Sequence, residues 1–264
     1  MVEAEGLVKR FKRVTAVDGL SFTARGGEVF GLLGPNGAGK TTTLRLLATV
    51  LEPTAGTARV NGYDIRTEKA KVRAALGLLV EDAGLYRKVS ARDHLRYFGR
   101  LHGVNGAELE RRVDYLIDAL GMAAFADRDT EGFSRGMKRR VVMGITLIHD
   151  PQVVILDEPT IGLDVVSTRA VRDMIRQFRD VGRCVIISTH LMDEVQRLCD
   201  RVAIIHNGRI LAQGTPDALT AQAGAPDLET AFVKIVGEEA LLETGDPPRQ
   251  GRLRRGLRRW LRRR

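Results

Sequence analysis

The segment Gly34-Pro35-Asn36-Gly37-Ala38-Gly39-Lys40-Thr41, with Thr42 after it, constrains this chain more than any other stretch. It fits the pattern G-x-x-x-x-G-K-[ST] at every fixed position. The apolar run Glu28-Val29-Phe30-Gly31-Leu32-Leu33 precedes it and reads as a buried strand. Residues 41–50 follow as a helix, with Leu44, Leu47 and Leu51 on one face. A glycine-rich turn between strand and helix lets backbone N–H groups converge on phosphate oxygens, and the helix N-terminus adds positive potential. Lys40 is expected to reach the β- and γ-phosphates of a nucleotide, and the Thr41 hydroxyl to ligate Mg2+. The plain alternative is a glycine-rich turn before a helix. The flanking strand and Lys40 weigh against it.

Such a unit needs a sheet around it. Apolar runs at 76–80, 153–156, 184–187 and 202–205 alternate with helical patterns, among them 90–103, 107–120 and 137–149. Ser90 with Asp93 predicts an N-terminal cap. The alternation implies crossover connections and a mostly parallel sheet covered on both faces, an α/β fold. A chain of 264 residues can bury the required core without disulfides. Its two cysteines, Cys184 and Cys199, lie in apolar surroundings without metal-ligand spacing. They read as buried filler in a reducing cytosol. No run approaches the ~20 apolar residues of a membrane span, and the acidic start Met1-Val2-Glu3-Ala4-Glu5 is unlike a signal peptide. The chain is expected neither to be secreted nor to span a membrane by itself.

A second chemical segment lies in Val153-Val154-Ile155-Leu156-Asp157-Glu158. A buried strand here delivers two carboxylates to its C-terminal end, where open α/β sheets place ligands. Asp157 is expected to hold the metal through its water shell, and Glu158 to polarise an attacking water. Alone, an acidic pair after a strand is a solvated loop. Beside a phosphate loop it gains a role.

The net charge of +9 suggests nucleic acid until it is located. Nine arginines and no acid lie between Arg249 and Arg264; setting these aside leaves 33 of the 42 basic residues against 33 acids. The body is neutral, so no specific nucleic-acid partner is expected. Asp246-Pro247-Pro248 marks a linker before this tail.

Four further segments resemble the nucleotide-binding domain of ABC transporters, in that family's order and within about residues 1–215. Phe133-Ser134-Arg135-Gly136-Met137 is similar to the signature segment LSGGQ; Ser134 and Gly136 keep the hydroxyl and backbone N–H that bind a γ-phosphate at a helix N-terminus. Gly162-Leu163-Asp164 matches the D-loop, and Ser188-Thr189-His190 the switch histidine. Phe11 occupies the place of the aromatic that stacks on adenine, with a core Phe as the alternative. The resemblance implies a P-loop NTPase (RecA-like) core, an ABC α-helical subdomain near 83–148 and a small antiparallel β part near the N-terminus, within an ATPase domain over 1–248. It also implies a head-to-tail dimer, of this chain with itself or with a paralogous ATPase. Two ATPs with Mg2+ are enclosed between the subunits, Ser134 and Gly136 facing the partner's nucleotide and Asp164 at the interface. Lys40, Glu158 and His190 carry hydrolysis, with nucleotide contacts from the loop residues 34–42 and Phe11.

One departure concerns the strand end near residue 80. The family usually has Gln there; this chain has Glu81, or Asp82 after a one-residue slip. Glu81 is expected near the metal, as a direct ligand or swung away until the dimer closes. Val80-Glu81-Asp82-Ala83-Gly84-Leu85-Tyr86, Ser90-Ala91-Arg92-Asp93-His94-Leu95, Thr54-Ala55-Gly56-Thr57 and Leu198-Cys199-Asp200-Arg201 resemble ATPases of sodium-extruding exporters and their ABC-2-type relatives. The implied partner is an integral-membrane permease, and the implied place the cytoplasmic face of the cell membrane. The cargo stays open between sodium and a drug, antibiotic or lipid. A soluble ABC ATPase without transport is a rival from another class. In the tail, Leu253, Leu257, Trp260 and Leu261 fall on one helical stripe among arginines, which suits an anionic membrane surface. A disordered extension or an RNA-binding arm remains open beside it.

Overall fold

The computed structural model describes residues 1–80 and 84–237. Glu81, Asp82 and the arginine-rich tail lie outside them. The chain opens with two long strands, β1 (Val2–Phe11) and β2 (Val14–Ala24), paired antiparallel through a two-residue turn at Lys12 and Arg13. Two shorter strands, β4 (Ala55–Val60) and β5 (Tyr63–Asp64), extend them into a four-stranded antiparallel sheet of order β2-β1-β4-β5. This is the small antiparallel part expected near the N-terminus.

The second sheet has six strands, in the order β10-β9-β3-β8-β7-β6. They are β3 (Glu28–Leu33), β6 (Leu76–Leu79), β7 (Val153–Asp157), β8 (Cys184–Thr189), β9 (Arg201–His206) and β10 (Arg209–Gly214). Every pairing is parallel except β9 with β10, a hairpin edge. The central strands are buried throughout because both faces are covered. Their side chains alternate between two cores with the period of a strand. Phe30, Leu32, Val153, Ile155, Ile186 and Ile205 meet the antiparallel sheet and α1 (Lys40–Leu47); the rings of Phe22 and Phe30 stack 5.0 Å apart across that boundary. Val29, Leu33, Val154, Leu156, Val185 and Ile187 face the opposite core, which continues into the helices.

Three of those helices, α3 (Ala91–Leu101), α4 (Gly106–Ala119) and α5 (Arg135–Leu147), pack on one another beside the sheet. A Cβ on Gly144 of α5 would come within 2.7 Å of Leu95 on α3, so glycine permits this approach. The Ser90 cap forms as expected: its Oγ accepts from the Asp93 amide. Two helix boundaries differ from the periodicity. Helix α1 stops at Leu47 rather than at residue 50, because Thr49 takes φ +57° and Val50 and Leu51 both donate to the Arg45 carbonyl. Helix α5 starts at Arg135, two residues ahead of the apolar pattern, because Ser134 caps it. The remaining helices are α2 (Lys69–Ala75), α6 (Val165–Asp180), α7 (Met192–Leu198), α8 (Pro216–Gln222) and α9 (Leu228–Val236). No helix among the described residues is long and apolar enough to cross a membrane. Cys184 and Cys199 are free and buried; burial pushes the Cys184 thiol up to about 11 and raises Cys199 too, so both are inert filler.

Candidate active site

Strands β3, β8 and β7 are parallel neighbours, so their C-terminal ends lie along one edge of the sheet. Leu33 pairs with Thr189, and Asp157 with Ser188. The residues that follow, from Gly34, Glu158 and His190 onward, therefore converge from distant parts of the chain. Gly34 and Gly39 have no space for a side chain: a Cβ would lie 2.3 Å from the Ile205 carbonyl oxygen at one and 2.4 Å from that of Ala16 at the other. Gly39 also takes φ +103°, which favours glycine. The loop closes around a cleft of about 150 Å³ lined by Ala16, residues 36–42 and Glu158. Pro35 contributes its carbonyl, which accepts from Lys40 Nζ at 3.2 Å; the Gly34 carbonyl accepts from the same ammonium at 2.7 Å.

Glu158 is the centre of this cleft. Its Oε1 lies 3.0 Å from His190 Nδ1 and 3.7 Å from Lys40 Nζ. Its Oε2 is buried without a hydrogen-bond partner among the described residues. A buried acceptor left open beside a phosphate loop suits a water or hydroxyl donor that arrives with a ligand. The backbone of Glu158 takes φ +46°, unusual for a residue with a side chain. Its N–H is held at 3.1 Å by the Ser188 carbonyl and at 3.2 Å by Ser188 Oγ. Asp157 is 2 % exposed. Its Oδ2 accepts from Thr41 Oγ1 at 2.9 Å, and its Oδ1 accepts from Ser188 Oγ. Thr41 and Asp157 thus bring together two hard oxygen donors of the kind Mg2+ takes, with room left for phosphate and water ligands.

A second cluster forms at two helix N-termini. Ser134 caps α5, its Oγ accepting from Met137 N–H at 3.2 Å. Asp164 caps α6, with its two oxygens accepting from the Ser167 amide and hydroxyl at 2.9 Å each. These bonds, the amide first, hold the Asp164 carboxyl below the usual carboxylate range. Gly136 lies between them: a Cβ there would sit 3.3 Å from Ser167 Oγ, 3.8 Å from Asp164 Oδ2 and 3.9 Å from Ser134 Oγ. Two helix N-termini thus lie side by side here, with the Asp164 carboxylate beside Gly136.

Phe11 stands at the tip of the β1–β2 hairpin, 43 % exposed, with Lys9 Nζ 5.1 Å from its ring centre. It is not a core residue. Five residues on, Ala16 enters the cleft wall and ties this hairpin to the loop. The contacts of three residues are not foreseen from the sequence. Ser188 links Asp157 to Glu158. His94, buried in α3, accepts the Tyr86 N–H at 2.9 Å through Nε2, while its Nδ1 lies 2.7 Å from the Ser90 carbonyl. Arg139 reaches from α5 to the backbone at Asp157 and Glu158. Ser188 could have been suspected, since it pairs with Asp157 once two parallel strands end together. Arg139 has no such cue: the carbonyls it reaches at Asp157 and Glu158 are groups that every residue has.

A family model described as "ABC transporter" matches residues 17–161, more than half of the chain. The chain belongs to the ABC transporter family. Within it, the ATP-binding protein NatA of Bacillus subtilis is 41% identical over 223 residues, 84% of this chain and 91% of that one. The daunorubicin/doxorubicin resistance ATP-binding protein DrrA of Streptomyces peucetius is 40% identical over 224 residues, 85% of this chain and 68% of that one. A solved ATP-binding subunit of an ABC transporter superposes with a TM-score of 0.83 at 29% identity, covering 90% of this chain and 100% of the other. The ABC resemblance and the α/β P-loop fold expected from the sequence are thereby borne out. This ABC subunit binds and hydrolyses ATP.

Proposed function

We propose that this ABC subunit drives an ABC-2-type exporter from the cytoplasmic face of the membrane, bound to an integral-membrane permease. Residues 1–248 form its ATPase domain, with the helical subdomain near 83–148. ATP closes a dimer of two such subunits, identical or paralogous, and hydrolysis reopens it. The observation that carries this reading is the meeting of Lys40, Glu158 and His190 at the open end of the sheet, with an Oε2 on Glu158 that has no partner among the described residues.

The chain's own groups divide the work. Loop amides and Lys40 offset the charge of the β- and γ-phosphates. Glu158 Oε2 accepts a proton from the attacking water, and His190, held at Oε1, orients that water. Thr41 and Asp157 would hold Mg2+, which would supply positive charge to stabilise the transferring phosphoryl group. Ser134 and Gly136 bind the nucleotide of the opposite subunit, Asp164 lies at the interface, and Phe11 stacks on adenine. Removal of the carboxylate isolates the central step. Glu158→Gln is expected to bind ATP but to lose at least about 10²-fold in turnover, and to accumulate as an ATP-loaded dimer in analytical ultracentrifugation. Turnover near the wild-type rate overturns the assignment of Glu158 as the base.

The likeness of residues 80–86 and 90–95 to sodium-extruding exporter ATPases favours a sodium cargo, and the match to the daunorubicin/doxorubicin resistance protein DrrA favours a second reading, export of a drug of that kind. The two are separated in the reconstituted ATPase–permease complex. Sodium-stimulated turnover supports the first. Turnover that ignores sodium and responds to drug supports the second.

A further inference from the structure

Arg139 links the helix that Ser134 caps to the end of β7. It sits on α5, five residues after the Ser134 cap, half-buried and pointing to the exit of β7. Its Nη2 donates to the Asp157 carbonyl at 2.9 Å and to the Glu158 carbonyl at 2.7 Å. Nε reaches the Pro159 carbonyl at 3.3 Å, and Nη1 the Val80 carbonyl at 3.4 Å. One planar group thus collects consecutive carbonyls around the two acidic residues and the end of β6. An ammonium cannot present this fork, and charge-assisted donors to backbone carbonyls are among the stronger hydrogen bonds.

The place it grips is the strained one. Glu158 holds φ +46°, a conformation that persists only where the surroundings over-determine it. Its N–H is fixed by Ser188 and its carbonyl by Arg139. The side chain leaves the backbone between these two anchors, so they aim the carboxylate. The first anchor belongs to the sheet. The second belongs to a helix whose N-terminus carries Ser134.

We infer that Arg139 is a positioning residue: it sets the aim of Glu158 from the signature helix, so that a shift of α5 at its Ser134 end is delivered to the carboxylate of the same subunit. The inference rests on the proposed role of Glu158 as base. A helix is stiff over three turns, and Arg139 ties this one to the backbone that carries Glu158, so a displacement of the helix reaches that backbone. Displacement by about 1 Å at a reacting group can cost roughly 10²-fold in rate.

The test uses the full chain and compares Arg139→Ala, Arg139→Gln and Glu158→Gln with wild type, measuring kcat, KM for ATP and the thermal midpoint. Alanine leaves space for water to hydrate the freed carbonyls, which protects folding. Arg139→Ala is expected to lower kcat by roughly 10²-fold while KM stays within about threefold. Arg139→Gln, which restores two N–H donors, is expected to recover kcat to within about tenfold of wild type. A purely structural role moves the thermal midpoint and KM along with kcat, without rescue by Gln, and overturns the inference. So does a wild-type kcat in Arg139→Ala while Glu158→Gln is inactive. Fast turnover in Glu158→Gln removes the base itself, whatever the Arg139 variants do. Should Arg139→Ala fail to fold, Arg139→Met is read by the same kcat–KM split.

Discussion

His149 shows how one side chain carries a condition on the whole fold. It follows α5, with Nε2 3.0 Å from the Leu76 carbonyl and its ring stacked on His102, centres 3.8 Å apart. Burial first, and the nearby His102 second, lower its pKa to about 4 from 6.5; Arg112 opposes the charge as well, while Asp150 and the Leu76 carbonyl favour it. Its Nδ1 is buried without a partner among the described residues, so a second ring proton has no acceptor. The folded state therefore binds fewer protons than the unfolded chain between pH 6.5 and pH 4. Stability is full above that window and falls as pH drops through it, by no more than about 3 kcal/mol. His149→Gln, which keeps a donor for Leu76, is expected to flatten the loss in urea titrations at pH 7, 5.5 and 4. Equal slopes for both proteins assign the acid sensitivity elsewhere. This site was invisible in the sequence, because neither histidine has a motif and their stacking depends on how α3 and α5 pack. Lys40, Thr41 and Asp157 were legible for the opposite reason. Their spacing and flanking strands already dictate the phosphate loop and the strand end.

At the scale of elements, hydrophobic runs located every central strand, since buried parallel strands are apolar throughout. Helix ends were less legible. They depend on caps such as Ser134 and on left-handed residues such as Thr49, which apolar periodicity does not register. The pair Arg172–Glu194 depends equally on packing. Arg172 on α6 donates twice to Glu194 Oε1 on α7, at 3.0 and 2.9 Å, and the Glu194 side chain is 1% exposed. Helix α6 begins at Asp164 and α7 just after His190, so this pair joins the elements behind two site residues. Breaking it from one side leaves a buried carboxylate alone. Arg172→Met is expected to cost about 3–5 kcal/mol in urea unfolding, and Arg172→Met/Glu194→Met to recover most of that. An additive loss in the double variant contradicts the coupling.

Across the whole molecule, topology explains why residues 34–42, 157–158 and 190 meet at one edge of the sheet while Ser134, Gly136 and Asp164 lie together at two helix starts. The fold was legible because two glycine- and acid-bearing strand ends leave few arrangements of a parallel sheet. The second surface was legible only through family likeness, since a Ser at a helix start has many uses. On the proposed reading each place is one half of a nucleotide site, and a second subunit facing it, identical or paralogous, completes it. Proximity in solution decides this directly. Asn36→Cys and Arg135→Cys, each in the Glu158→Gln background, are mixed, loaded with ATP or ADP, and treated with a short thiol cross-linker; the native cysteines are buried. ATP is expected to yield dimers linked between the two introduced thiols, and ADP to yield few. An ATP-loaded protein that stays monomeric, with no link between these positions, contradicts the shared site.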